Sequence, residues 1–270
     1  MRHLFAALLS LPGLVGAAML SINNGNTHLE LEKPALLSHS EARDIDIPND
    51  VSYQRPMRYR AVPFAPLLKQ AGFKASDTVR IVALDGFAAT LPASLLLNEN
   101  GAEPWLAIEP DEARWPPVKP GGDGASAGPL YLVWLNPEKS KVTPEQWPYQ
   151  IARIDRVAAI EERYPALAPA ATLAADSPVR AGFAMFQKHC MACHTLNRAG
   201  DANLGPDLNV PRNPTEYLRE PYLQVLIRNP QSLRSWGKAQ MPAFSEDTLS
   251  ETELNQLMRY LKHMATRKVR

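Results

Sequence analysis

The end of the chain carries the hydrophobic spacing of an amphipathic helix. Apolar side chains recur with the i, i+3, i+4 and i+7 spacing of one helix face, at Leu254, Leu257, Met258 and Leu261. Just before them, Ser250 and Glu253 form a capping box, in which each side chain satisfies a backbone N–H that the first helical turn leaves free. The pattern predicts a last helix from Glu251 to about Thr266.

Two further helical stretches precede it. Pro178 suits the first position of a helix, which we expect to end before Cys190. Another stretch runs from Thr215 to Ile227, with Pro221 as a break or a restart. The chain from residue 178 onwards is therefore predicted to be all-α.

The pattern upstream is that of short strands. Between residues 61 and 162, apolar runs bounded by turn residues give strand candidates at 79–84, 87–91, 105–108, 130–135 and 151–157. Asp85-Gly86, between the first two candidates, predicts a hairpin, and the run from Val62 to Gly72 predicts a short helix closed by glycine. Residues 21–60 are polar and rich in turn residues. The predicted fold class is two domains, a mixed α/β, β-rich N-terminal domain followed by an all-α domain.

Residues 1–20 have the make-up of a secretory signal. Arg2 and His3 precede an apolar stretch from Leu4 to Leu20, and small residues near Ala17 suit cleavage there. A retained membrane anchor is the alternative. No later apolar run is long enough to span a bilayer. We therefore expect a periplasmic protein with no integral membrane segment after signal removal.

Composition and charge support a two-domain organisation. The 270-residue chain has a formal net charge of +1, so no bulk charge favours a nucleic-acid partner. From Pro178 on there are 13 Lys and Arg against 8 Asp and Glu, whereas Ser21 to Ser177 holds 15 against 20. We place the signal at 1–20, the N-terminal domain at 21–165, an Ala- and Pro-containing linker at 166–177 and the C-terminal domain at 178–270.

The strongest chemical signal is the pentapeptide Cys190-Met191-Ala192-Cys193-His194. A C-x-x-C-H run is the attachment signature of a c-type haem. Two thiols on one turn can each add to a vinyl group of the same porphyrin, and the adjacent imidazole of His194 is then held beneath the iron as proximal ligand.

Paired cysteines also occur in three other kinds of site. A thioredoxin-like pair needs a βαβ context, which the flanking sequence does not show. A structural zinc site needs four ligands, and Cys190 and Cys193 are the only cysteines in the chain. A plain disulfide would close a small, strained ring and leave His194 unexplained.

Motifs downstream of the pentapeptide resemble those of the class I cytochrome c domain. They are Gly205-Pro206-Asp207-Leu208, Asn229-Pro230 and Met241-Pro242-Ala243-Phe244, and the resemblance covers about residues 178–266. It implies that Met241, which lies 47 residues after His194, is the distal iron ligand. His263 in the last helix is the competitor for that role.

The same resemblance implies a contact that orients the imidazole of His194. A backbone carbonyl near Pro206 is expected to accept the Nδ1–H of His194 and so fix the ring. Trp236 lies shortly before Met241. It is expected either to hydrogen-bond a haem propionate or to cap the core.

Upstream, the order of motifs resembles part of the molybdopterin-binding domain of the sulfite oxidase type. The matching stretches include Val62-Pro63, Asp85-Gly86-Phe87, Gly128-Pro129 and Ile151–Ile154. That family holds molybdenum through a cysteine thiolate in this domain, and the N-terminal region here has no cysteine. Arg55, Arg58 and Arg60 could grip a pterin phosphate, but solvated surface charges are the favoured interpretation. Molybdopterin is therefore not expected, and the domain is interpreted as a non-catalytic relative.

These observations favour an electron carrier over an enzyme. We expect a periplasmic protein with one covalent haem c and His/Met ligation that exchanges electrons with a partner dehydrogenase or oxidase, its N-terminal domain being used for docking. One alternative is a molybdenum-dependent oxidoreductase, similar to sulfite dehydrogenases, with a built-in haem. Another is a haem-based redox sensor or assembly factor.

Overall fold

The computed structural model describes residues 19–98, 100–118, 124–202, 204–233 and 241–270. The strands are β1 (Met19–Asn23), β2 (His28–Glu32), β3 (Arg43–Ile47), β4 (Met57–Pro63), β5 (Thr78–Ala83), β6 (Ala88–Pro92), β7 (Glu103–Ile108), β8 (Leu130–Leu135) and β9 (Ile151–Val157). The helices are α1 (Lys33–Leu37), α2 (Phe64–Gln70), α3 (Ala93–Leu96), α4 (Ile160–Arg163), α5 (Pro178–His189), α6 (Pro214–Tyr217), α7 (Glu220–Arg228), α8 (Pro230–Leu233) and α9 (Glu251–Ala265).

Within the described residues, the strands form two sheets. The first has the strand order β2-β1-β9-β5-β6, with β1 parallel to β9 and β5 antiparallel to both of its neighbours. The second has the order β3-β4-β7-β8, with antiparallel pairs throughout. One hydrophobic cluster, which extends in sequence from Leu20 to Ile154, joins the inner faces of both sheets.

Local turn chemistry produces the hairpin between β5 and β6. Gly86 adopts a φ of +89°, which favours glycine, and the backbone N–H of Phe87 donates to the carboxylate of Asp85 at 2.9 Å. The hairpin predicted at Asp85-Gly86 is therefore present. Gly72, with a φ of +80°, likewise follows the short helix α2.

The segment 21–60 is more regular than its polar composition suggests. It supplies β2, β3 and parts of β1 and β4. In β2 no residue is fully buried, and in β3 the buried positions are Ile45 and Ile47. A strand that buries so few side chains leaves a weak hydrophobic pattern, because its stability comes from pairing with distant neighbours.

Helices dominate the chain after residue 160, where a second hydrophobic cluster extends from Ile160 to Met264. Helices α5 and α9 pack closely at Gly182. A Cβ atom there would lie 1.9 Å from the carbonyl oxygen of Gln256 and 2.8 Å from the Cβ of Tyr260. Because glycine has no side chain, the two backbones meet directly at this crossing.

The β-rich architecture upstream and the helical architecture downstream confirm the predicted fold class. Residues between β9 and α5 pack on the second cluster, where Leu167 is fully buried and its carbonyl accepts from the hydroxyl of Tyr260 at 2.8 Å. The predicted signal lies, up to residue 18, outside the described residues, and Met19 begins β1. In the part of the chain that the structure describes, no helix is long and apolar enough to cross a membrane.

The contact at Gly182 predicts a large effect of a small substitution. Gly182→Ala should destabilise the fold by about 2 kcal/mol net, because overpacking against backbone costs up to about 3 kcal/mol and alanine's better helix propensity returns about 1 kcal/mol. The free energy of unfolding in urea measures this. Ala184→Ser, which adds one atom on the exposed face of the same helix, should change that free energy by less than about 0.5 kcal/mol. Equal effects of the two variants would contradict the prediction.

Candidate haem site

The pentapeptide forms a single tight turn at the end of α5. The backbone N–H of Cys190 donates to Phe186 O at 2.9 Å, and that of His194 donates back to Cys190 O at 2.9 Å. Cys193 also donates to Cys190 O, at 3.0 Å. Both cysteines are half-buried free thiols. The turn thus holds two unbridged thiols and one imidazole within five residues of chain.

The electrostatic setting of the thiols is unlike that of a redox-active pair. Burial raises the pKa of Cys190 to about 12. Burial and the nearby carboxylate of Glu145 raise the pKa of Cys193 as well. Reactive and metal-binding cysteines usually have a lowered pKa, because the thiolate is the active form. Among the described residues, no three His, Cys, Asp or Glu side chains are grouped to hold a metal ion.

The ring of His194 has a defined tautomer. Its Nδ1 lies 2.7 Å from the carbonyl oxygen of Pro206, and since a carbonyl can only accept, Nδ1 carries the proton. Nε2 therefore keeps its lone pair for a metal. Burial lowers the pKa of His194, which favours the neutral imidazole needed for coordination. The structure places the acceptor on Pro206 itself.

Gly205 lets the backbone approach the ring of His194 closely. A Cβ atom at Gly205 would be 2.3 Å from Cε1 and 2.6 Å from Nδ1 of His194. Its N–H donates to Cys193 O at 2.7 Å. Any side chain at this position would displace the imidazole, so glycine is required here for close approach.

Asp207, next to Pro206, organises the loop that carries the acceptor. Its carboxylate accepts from the backbone N–H groups of Asn197 at 3.2 Å, Arg198 at 2.6 Å, Asn209 at 2.8 Å and Val210 at 2.7 Å. Burial opposes ionisation, but these hydrogen bonds outweigh it and lower the pKa of Asp207. In the sequence, Asp207 stands out only as part of the motif Gly205-Pro206-Asp207-Leu208, which by itself indicates no role for the carboxylate.

Three buried asparagines, Asn197, Asn209 and Asn213, tie the same loop to the end of the chain. Their side-chain amides donate to carbonyls in and just after the last turns of α9, Asn213 to Leu261 at 2.9 Å, Asn209 to Met264 at 2.8 Å and Asn197 to Arg267 at 2.9 Å. They also bond one another, because Asn213 donates to Asn209 and Asn209 to Asn197. We call this set the asparagine ladder. Its partners in and after α9 lie 48 to 70 residues away in sequence, so no local motif predicts the ladder.

Met241 lies beside the same hydrophobic cluster as the pentapeptide. Met241, Cys190 and Leu226 are half-buried against that cluster. Three residues on, Phe244 is buried, and its N–H donates to Ile227 O at 3.2 Å. The backbone three residues after Met241 is thereby held close to the end of α7. This arrangement supports a role as ligand.

Three further residues named from the sequence are His263, Met191 and Trp236. His263 accepts at Nε2 from the backbone N–H of Ala170 at 3.1 Å. Met191 is buried within the pentapeptide. Trp236 lies outside the described residues.

In the N-terminal part, two of the three arginines interpreted as surface charges, with a phosphate grip as the alternative, face carboxylates. Arg58 lies 3.5 Å from Asp44 and 4.0 Å from Asp46, and Arg60 lies 3.8 Å from Asp44. These pairs are exposed ion pairs across β3 and β4, which contribute little to stability.

The residues present fit a covalently bound haem. The two free thiols on one turn suit covalent attachment of a c-type haem, and the free lone pair of His194 and the thioether of Met241 are groups that can ligate its iron. Apolar side chains of Leu208 and Leu218 pack on the same cluster, which suits a large hydrophobic ring. The chemistry of these donors thus agrees with the motif.

Comparisons with known proteins address the same segment. The family model described as cytochrome C oxidase, cbb3-type, subunit III matches residues 177–261. No curated protein matches the chain. Among solved structures, the sulfane dehydrogenase SoxCD from Paracoccus pantotrophus is similar at 17% sequence identity, with a TM-score of 0.37. The likeness covers 54% of this chain, which spans only 40% of that one.

The family match contains the pentapeptide, the loop with Pro206 and Met241. It agrees with the helical fold and with the donor set found there. The C-terminal part of this chain is therefore a c-type cytochrome domain, the haem-carrying module of electron-transfer proteins.

Proposed function

We propose that this chain is a mono-haem c-type cytochrome that carries electrons between partner proteins. Cys190 and Cys193 form the thioether links, His194 is the proximal ligand and Met241 is the distal ligand. The observation that supports this most strongly is the hydrogen bond from His194 Nδ1 to Pro206 O, because it presents Nε2 in a fixed direction. The bound haem supplies the Fe(III)/Fe(II) couple.

The protein's own contribution is a rigid position for the imidazole. Gly205, Asp207 and the asparagine ladder restrain the imidazole, so its position need not change with the charge of the iron. A thioether on the other face is a soft, neutral ligand that favours the reduced state. If His194 and Met241 both ligated the iron, no position would remain for a substrate, which favours electron transfer over catalysis.

The location and partner follow from the proposed chemistry. Residues 1–20 direct export to the periplasm, with cleavage near Ala17, and the β-rich N-terminal part docks a dehydrogenase or an oxidase. We place its domain at 21–165, the linker at 166–177 and the cytochrome c domain at 178–270. The N-terminal domain has no thiolate for molybdenum, since both cysteines lie in the pentapeptide. A catalytic molybdenum centre is therefore not proposed.

Covalent attachment predicts that a variant without the two cysteines retains no haem after denaturation. Wild-type chain from an export-competent host should carry one haem that stays bound after denaturation and acid extraction. Cys190→Ser with Cys193→Ser should retain none, because no thioether can form. Met191→Leu, a volume-conserving change between the cysteines, should retain the wild-type amount. Haem that remains with the denatured double variant would contradict the attachment.

The distal role of Met241 predicts a change in potential. Met241→Ala should lower the midpoint potential by a sizeable part of the roughly 0.8 V range that axial ligation covers, and it should open the reduced iron to carbon monoxide. Met185→Ala provides the control, because Met185 is also half-buried on the same cluster but lies in α5. A Met241→Ala protein with wild-type potential and no carbon monoxide binding would refute the assignment. Ready carbon monoxide binding by the wild type would favour a sensor instead.

The iron and molybdenum content of the purified chain distinguishes an electron carrier from a molybdenum enzyme. The purified chain should contain one iron and no molybdenum, because the N-terminal part lacks the thiolate that such a centre uses. Both metals are measured by mass spectrometry on the same sample. Near-equal iron and molybdenum would overturn the carrier and indicate an oxidoreductase with a built-in haem.

A further inference from the structure

A buried carboxylate lies on the loop that connects the pentapeptide to Pro206. The side chain of Asp201 is only 4% exposed. It accepts from Arg80 Nη1 at 2.9 Å, from the hydroxyl of Tyr164 at 2.9 Å, and from the guanidinium of Arg163. Two cations and one hydroxyl therefore surround a single carboxylate. We call these four residues the Asp201 clamp.

The partners of Asp201 come from outside the segment that matches the cytochrome family. Arg80 lies on β5, inside the five-stranded sheet, 121 residues before Asp201. Arg163 ends α4, and its guanidinium lies 4.9 Å from the ring centre of Tyr164. The clamp thus joins the sheet of the N-terminal part to the loop of the cytochrome domain.

Because the charges of the Asp201 clamp are buried, its ion pairs hold the loop to the sheet, and the loss of one partner destabilises the structure. The side chains of Arg80 and Arg163 are 25% and 14% exposed. Removing one partner of a buried ion pair is strongly destabilising, because the other charge is left buried without compensation. The loop and the sheet are therefore held together, and each restrains the other.

The loop that carries the clamp also carries the acceptor for His194. On one side of Asp201, Leu196 and Ala199 exchange backbone hydrogen bonds at 3.0 and 3.1 Å. On the other side, Gly205 donates to Cys193 O at 2.7 Å and Pro206 accepts from His194. A displacement of the loop at Asp201 would therefore reach the imidazole through a short stretch of chain.

The N-terminal part contacts the pentapeptide at a second place. Strand β6 and Glu145 face Met191 and Ala192 across a cavity of only about 20 Å³. Beside it, the ring of His189 is 1% exposed and lies 3.8 Å from the carboxylate of Glu145. The two residues between the cysteines are thus covered by the N-terminal part. The haem attachment turn and the acceptor loop both rest on the same sheet.

We infer that Asp201 is a positioning residue through which the N-terminal part holds the proximal ligand of the haem. Arg80 and Arg163 hold Asp201, which lies five residues before Pro206 in the chain. A fixed Asp201 limits how far Pro206 can move away from His194, so the hydrogen bond to His194 keeps its geometry. This role rests on the proposed function, and it gives the N-terminal part a task inside the molecule besides docking.

Arg80→Gln tests the clamp, with Arg153→Gln as the matched control. Arg153 lies on the neighbouring strand β9, and its guanidinium is 2.9 Å from Asp155, the residue that also lies 3.5 Å from Arg80. Both variants remove one positive charge from the same sheet, but only Arg80 touches Asp201. The measurement is solvent exchange of the His194 Nδ1 proton, followed by NMR on the reduced, haem-bearing protein. The amide of Leu257 in α9 serves as reference for global unfolding.

Arg80→Gln should accelerate exchange of the His194 proton by about tenfold relative to the Leu257 amide. This is the lower end of the 10- to 100-fold effect that loss of a direct partner of a metal ligand has, because Arg80 acts on His194 only through Asp201. It should also shift the midpoint potential more than Arg153→Gln does. Arg80→Lys keeps a cation but loses the forked donor, so it should fold and give an intermediate exchange rate. Equal exchange rates and potentials in the lysine variant and wild type would overturn the inference, even if the glutamine variant did not fold.

The failure of the inference is distinguishable from that of the proposed function. A haem-bearing wild type in which Arg80→Gln and Arg153→Gln behave alike would overturn the clamp alone. A purely structural role would lower the thermal midpoint without changing the ratio of exchange rates or the potential. A wild-type chain without covalent haem would overturn the proposed function, and the positioning role with it.

Discussion

The hydrogen bond from His194 to the carbonyl of Pro206 is the interaction on which the site depends. It fixes both the proton and the plane of the imidazole, and a flexible loop could not provide it. The loop is restrained at several points, by the fit of Gly205 against the ring, by the carboxylate of Asp207 and by the asparagine ladder. The three asparagines of the ladder are buried and their side-chain amides are hydrogen-bonded, and a satisfied buried polar network of this kind specifies one conformation.

Much of the helical part could be predicted from the sequence because its signals are local. The capping box at Ser250, proline at the start of α5 and the break before Pro221 all act within a few residues. The haem pentapeptide is equally local, since covalent attachment needs both thiols and the imidazole on one turn. For these features the physical cause lies in a short stretch of chain.

The remaining features arise from contacts between distant residues. Strands β1 and β9 pair in parallel although some 130 residues separate them, as the register of Ile22 with Ile154 shows. Strand β2 has a weak pattern because neither of its faces is fully buried. The asparagine ladder and the Asp201 clamp use common polar residues, which by composition are expected on a surface. Trp236 and the predicted signal up to residue 18 stay predictions, since they lie outside the described residues.

The asparagine ladder has a consequence for the order in which the domain is built. Its acceptors follow Asn197 and Asn209 by 70 and 55 residues. During synthesis from the N-terminus, the Cys-x-x-Cys-His residues are therefore made well before the residues whose carbonyls fix the neighbouring loop. Until the last helix forms, closing such a long separation is opposed by chain entropy. Until the final helix is in place, the loop beside the turn therefore lacks the hydrogen bonds that tie it to this helix and to the residues after it.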